Sequence, residues 1–337
     1  MDMNDMTSMV KEFPQLLGSV RVEQDIQEIC VKLGDEGLGG LCIIGMGGSA
    51  IAGQYVQALF QDVTPIPLIT VRDSILPSFV NHTWATISVS YSGNTEETIR
   101  AFDESVKRGC HSFIVASNGR LSMMPSAIGK IMVPQSYQPR AAFPLLFSAI
   151  LRPVECILGM SITPLEKIGE TISKRSTKWE ESPLAPKSMA NDILDSVPLF
   201  IGSRHLIPVA YRAKCQMNEN AKAMAFYSEI PESSHNEIES FDDSNDLQIL
   251  PIFLRSNFEE ISISQRADIM SEIYEEAGFT PLRLSMKSNS KIEEMLLMTF
   301  YLDMVSVELA TLRGVDPARV HKITKLKDKL RKSNDRS

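Results

Sequence analysis

Two segments of this chain each end an apolar run in a turn of glycine and hydroxyl residues. They are Cys42-Ile-Ile-Gly-Met-Gly-Gly-Ser-Ala-Ile-Ala-Gly53 and Ser88-Val-Ser-Tyr-Ser-Gly-Asn-Thr-Glu-Glu-Thr98. Each reads as a strand that passes through a turn into the start of a helix. Backbone N–H groups exposed at such a turn, together with the positive end of the helix dipole, suit an anion and above all a phosphate. Glycine lets the backbone come close to the ligand, and hydroxyls add neutral donors. Two such turns, with Ser90, Ser92 and Thr95 in the second, point to one phosphate gripped from two sides. Neither loop contains a lysine, so the pair is not the nucleoside-triphosphate P-loop.

The elements that must position these turns follow from the apolar pattern. Short strands are expected at Leu41–Ile44, Pro67–Val71, Ala85–Ser90, Ser112–Ala116 and Ile131–Val133, with helices at Ala50–Phe60 and Thr95–Arg108 between them. Such alternation predicts a parallel sheet covered on both faces, with ligands beyond the carboxyl ends of its strands. After helices at Pro144–Met160 and Glu166–Lys178 and a connector at Pro183–Pro186, the pattern restarts. Leu199-Phe-Ile-Gly-Ser203 echoes Cys42-Ile-Ile-Gly-Met46, and a helix over Pro208–Lys222 follows. Later strands are expected at Leu247–Leu254 and Pro281–Leu284, and helices at Ile261–Ala277 and Ile292–Arg313. The fold class is therefore α/β, with two similar units, each a mostly parallel sheet flanked by helices. The division reads as 1–160, a connecting segment 161–190, and 191–337 ending in an amphipathic helix near Lys322–Lys332.

Bulk properties narrow the function classes. The 337 residues suffice for two domains, and 43% hydrophobic with 23% charged residues is ordinary for a globular protein. A net charge of -8 disfavours a nucleic-acid partner. The five cysteines are scattered and show no metal-ligand spacing, which fits a reducing cytoplasm. Residues 37–61 carry no charge, but their glycines, Gln54 and Gln57 favour a buried strand, turn and helix over a membrane span.

The motif Gly45-Met-Gly-Gly-Ser49, taken with Ser88-Val-Ser-Tyr-Ser-Gly-Asn-Thr95, resembles the sugar-isomerase (SIS) fold. Five further segments narrow the resemblance. They are Gln138-Pro-Arg-Ala-Ala-Phe-Pro144, Asn218-Glu-Asn-Ala-Lys222, Ser233-Ser-His-Asn-Glu237, Arg313-Gly-Val-Asp-Pro317 and Ile323-Thr-Lys-Leu-Lys327. Together they resemble the archaeal-type bifunctional phosphoglucose/phosphomannose isomerases, from about Leu41 to about Leu330.

The resemblance implies roles for individual residues. Gly47, Gly48, Ser49, Ser90, Ser92 and Thr95 would hold the sugar phosphate. Glu219 would be the base, and Arg140 the arginine beside the reacting carbons. His235 would open the ring from the neighbouring subunit of a homodimer, and Lys327, with Lys325 close by, would match the C-terminal lysine. No cofactor, metal, nucleic acid or membrane is implied.

The chemistry suits these residue types. Aldose–ketose isomerisation moves one proton between C1 and C2, which a single carboxylate can remove and return. The resulting cis-enediolate is anionic and is stabilised by a fixed guanidinium. Ring opening needs a proton donor or acceptor near neutrality, and histidine supplies one. Taken singly, Glu219, His235 and Arg140 would pass for surface residues; their ordered motifs give them function. The remaining histidines, His82, His111, His205 and His321, read as structural. Two alternatives use the same fold. A non-catalytic sugar-phosphate regulator would carry a basic DNA-binding domain, whereas the first forty residues here are acidic. The other is an amidotransferase-linked or amino-sugar phosphate isomerase; the linked enzymes begin with a catalytic cysteine, whereas this chain begins Met1-Asp2.

Overall fold

Nine short strands, every pair of neighbours parallel, form two sheets in the computed structural model, which describes residues 6–179, 185–240 and 248–334. The first sheet contains Gly40–Gly45 (β1), Leu68–Val71 (β2), Trp84–Ser90 (β3), His111–Ala116 (β4) and Gly129–Met132 (β5), in the order β2-β1-β3-β4-β5. The second contains Val197–Ser203 (β6), Phe226–Ile230 (β7), Ile249–Arg255 (β8) and Leu282–Ser285 (β9), in the order β7-β6-β8-β9. The two orders match strand for strand, apart from the additional β5. The central strands β1 and β3 are buried at every position, as continuous apolar runs in a parallel sheet should be.

Helix Gly47–Phe60 follows β1 and helix Ile207–Glu219 follows β6, and the two pack against one another. They run in opposite directions. Gln57 and Gln61, late in the first helix, share a cavity with Ile207, Pro208 and Tyr211, early in the second. The C-terminal edge of the first sheet therefore lies alongside the N-terminal edge of the second. One apolar core joins both sheets through helices Phe143–Ile157 and Lys291–Leu312. The Tyr55 hydroxyl ties helix Gly47–Phe60 to Thr299 of Lys291–Leu312 at 2.7 Å. Lys291–Leu312 is long and apolar enough to cross a membrane, but 78% of its most apolar window is buried inside the protein, as befits a core helix.

The uncharged stretch 37–61 is a strand, a turn and a helix, as its glycines and glutamines implied. Several elements escape the sequence reading. Helices Met6–Lys11, Phe13–Leu16 and Gln24–Glu36 precede β1, helix Pro186–Ile193 begins inside the expected connector, and β7 forms an edge of the second sheet. The start of the strand expected at Leu247 lies outside the described residues; β8 begins at Ile249.

Candidate active site

The first turn leaves β1 at Gly45 and enters helix Gly47–Phe60 at its first residues. Gly47 has φ +53°, a left-handed conformation that a side chain disfavours. Ser49 is buried in the first helical turn. The second turn leaves β3 at Ser90 and reaches helix Glu96–Lys107. The Ser90 and Thr95 hydroxyls lie 2.9 Å apart, while Ser92 is exposed and its Oγ accepts from the Asn94 N–H at 3.3 Å. Helix dipoles and hydroxyls thus converge at the C-terminal edge of the first sheet.

Arg140 comes to the same edge. A methyl placed on Gly48 would sit 3.6 Å from the Pro139 carbonyl oxygen and 3.9 Å from the Arg140 Cα, so the first turn abuts the loop that carries the arginine. Tyr91, just after Ser90, braces that loop from the other turn. Its hydroxyl donates to the Pro134 carbonyl at 2.8 Å and accepts from the Tyr137 N–H at 3.0 Å.

Arg140 is only 5% exposed. Its Nε donates to Asn220 Oδ1 at 2.6 Å, and its Nη2 donates to the carbonyls of Pro317 and Ala318. Among the described residues no hydrogen bond takes up its Nη1, which leaves two N–H donors for a ligand. Burial lowers the Arg140 pKa from its ordinary value, and the Glu219 carboxylate opposes that shift. From so high a starting value the group remains a cation.

Glu219 is the last residue of helix Ile207–Glu219, half-buried and beside Asn220. Antiparallel packing of the two helices brings this C-terminus to the turn where helix Gly47–Phe60 begins. Lys222, at φ +55°, folds back so that its Nζ donates to the carbonyls of Glu219 at 2.6 Å and Asn220 at 3.2 Å. It thereby caps the helix end. Burial and the neighbouring Arg140 lower the Lys222 pKa.

A buried network holds this corner. Asn220 Nδ2 donates to Ser306 at 2.8 Å. Arg212, two helical turns before Glu219 and on the same face, donates to the Arg140 carbonyl at 2.9 Å and forms a two-point pair with Asp303 at 3.1 and 2.6 Å. Its guanidinium also lies 4.4 Å from the centre of the Phe143 ring. Sequence reasoning missed Asn220, Arg212, Asp303 and Ser306. A signal was available, because Asp303 is the sole charge between Glu294 and Glu308 in an otherwise apolar helix, and a buried carboxylate needs a partner. Asp303→Asn should strand the Arg212 cation and destabilise the fold by about 3–5 kcal/mol. Replacing both residues, as in Arg212→Met with Asp303→Leu, should lie closer to the parent. Equilibrium denaturation of the three proteins checks this; a single variant as stable as the parent would contradict it.

One expected residue, His235, stands apart from the corner. His235 ends a short 3-10 turn, Glu232–His235, just beyond β7, and is exposed. Ile230 of β7 is in register with Ser203 of β6, at the edge where helix Ile207–Glu219 begins. Glu219 ends that helix, about 18 Å away at 1.5 Å per residue. Within one chain His235 and Glu219 therefore lie at opposite ends of the second sheet. Lys325 and Lys327 sit on helix His321–Asn334, which leaves the Pro317–Ala318 segment; both side chains are exposed.

Comparison with known proteins finds relatives along most of the chain. The family model described as the bacterial phospho-glucose isomerase C-terminal SIS domain matches residues 185–330. The chain is 31% identical over 299 residues to a bifunctional phosphoglucose/phosphomannose isomerase of Aquifex aeolicus, covering 87% of this chain and 91% of that one. It is 31% identical over 292 residues to the protein of the same name from Thermoplasma volcanium, covering 86% and 91%. A solved hypothetical protein from Thermus thermophilus superposes with a TM-score of 0.75 at 15% identity, covering 98% of this chain and 90% of that one, a likeness of fold alone. On identity sustained over this much of both sequences, the chain belongs to the bifunctional phosphoglucose/phosphomannose isomerase family.

Proposed function

We propose that this protein interconverts fructose 6-phosphate with glucose 6-phosphate and mannose 6-phosphate through a cis-enediolate, without a metal. The observation that carries this reading is the meeting of Arg140, Glu219 and the two phosphate-type turns at one corner of the fold. Gly47, Gly48, Ser49, Ser90, Ser92 and Thr95 hold the phosphate, which fixes the sugar chain with C1 and C2 toward the second subdomain. Glu219 takes the proton from one carbon and returns it to the other. The free Nη1 edge of Arg140 meets the developing negative charge on the C1 and C2 oxygens. Glucose and mannose differ only at C2, where the planar enediolate has lost configuration, so one base serves both.

Ring opening falls to His235. The separation of His235 from Glu219 within one chain supports a homodimer in which each histidine serves the partner's site. Lys327, or Lys325 just before it on the same helix, reaches the substrate from the C-terminal helix. A coupled assay for glucose 6-phosphate formed from fructose 6-phosphate tests the reading, and turnover should persist in a chelator. Activity abolished by the chelator and restored by a divalent ion would overturn the metal-free mechanism.

A further inference from the structure

The second sheet repeats the strand order of the first, so β6 corresponds to β1 and β8 to β3. The turns after β6 and β8 thus stand where the two phosphate-type turns stand in the first sheet. The turn after β6 keeps the same backbone. Ile44-Gly45-Met46-Gly47 is matched by Ile201-Gly202-Ser203-Arg204, and Arg204 has φ +49° where Gly47 has +53°. The turn thus takes the same left-handed conformation with an arginine where the first turn has a glycine.

An anion already fills the place between these two turns. The Glu294 carboxylate, from helix Lys291–Leu312, is completely buried. His205, from the turn after β6, approaches its Oε2 with Nε2 at 2.9 Å. From the turn after β8, the Ser256 hydroxyl donates to the same oxygen, and the Asn257 N–H donates to Oε1 at 3.1 Å. One carboxylate is thus gripped by both turns at once. The entrance is closed as well. Arg204 pairs with Asp62 at 3.7 Å and Glu260 at 3.0 Å, and Lys291 pairs with Asp62 at 3.5 Å. The adjoining cavity, lined in part by His205, Arg204 and Phe258, measures about 30 Å³, far too small for a sugar. His205 Nδ1 is buried with no partner among the described residues.

We infer that the second subdomain retains an oxyanion site and that Glu294 occupies it from within, which restricts each chain to one phosphosugar site. The comparison with the first pair of turns rests on the proposed phosphate role of that pair; the Glu294 contacts do not. Removing the carboxylate should leave a vacant, donor-lined site for a small oxyanion such as formate, acetate or inorganic phosphate.

Glu294→Ala tests this through stability rather than turnover, so its outcome is separate from whether the first site isomerises sugars. Its unfolding midpoint should fall several degrees below that of the parent. Formate should then raise it saturably, at constant ionic strength, while the parent does not respond. Adding His205→Ala should abolish the formate response. Glu294→Gln, which keeps the shape but not the charge, should be destabilised and insensitive to formate. If Glu294→Ala accumulates only as insoluble protein, refolding yield with and without formate gives the same reading. A Gln variant as stable as the parent would overturn the inference. So would an Ala variant whose stability or refolding formate does not alter.

Discussion

Glu219→Gln should lower kcat by about 10²-fold or more while changing KM far less. Glutamine keeps the length of the side chain but cannot accept the C1 or C2 proton. Proton transfer by a placed base contributes about 10²–10⁴-fold, and its loss falls on the transition state rather than on binding. The surroundings should survive the change. Asn220, not Glu219, makes the hydrogen bond to Arg140, and Lys222 caps the helix through backbone carbonyls. Steady-state kinetics on fructose 6-phosphate would check it, and a variant within a few-fold of the parent would remove Glu219 from the chemistry.

Mixing two inactive proteins should restore activity. Glu219→Gln and His235→Ala each disable both sites of a dimer in which every site draws one residue from each chain. After dissociation and free reassembly, half the dimers are mixed. In each mixed dimer one site carries both defects and the other carries neither, so about one quarter of parental activity should return. The separation of the two residues across the length of helix Ile207–Glu219 is the structural motive. If exchange of subunits is demonstrated and no activity returns, His235 does not serve a partner's site.

The sequence displayed the first sheet almost completely, because buried parallel strands appear as apolar runs and the helices between them are introduced by glycine and hydroxyl turns. β7 was obscured for the opposite reason. As an edge strand it exposes Phe226 and Glu229 and buries only Ser228 and Ile230, so it has no apolar run to betray it. Helix Gly47–Phe60 begins three residues before the expected Ala50, since glycines at its start are poor helix formers by propensity yet suit the turn geometry there. The meeting of Arg140 with Glu219 lay beyond periodicity altogether. It depends on the antiparallel packing of two helices from different subdomains and on a buried Arg212–Asp303 pair whose members are 91 residues apart. His205 lies buried against Glu294, a partner that nothing in its local sequence named.

The proton transfer itself is the most direct test of the central claim. Fructose 6-phosphate incubated with the protein in deuterated water, and followed by proton NMR, should yield glucose 6-phosphate and mannose 6-phosphate. A fraction of each aldose should carry solvent deuterium at C2, because a base that holds the proton between C1 and C2 allows part of it to exchange. Absence of any aldose product, or product formed by inversion at another carbon with C2 untouched, would contradict isomerisation through a cis-enediolate at this site.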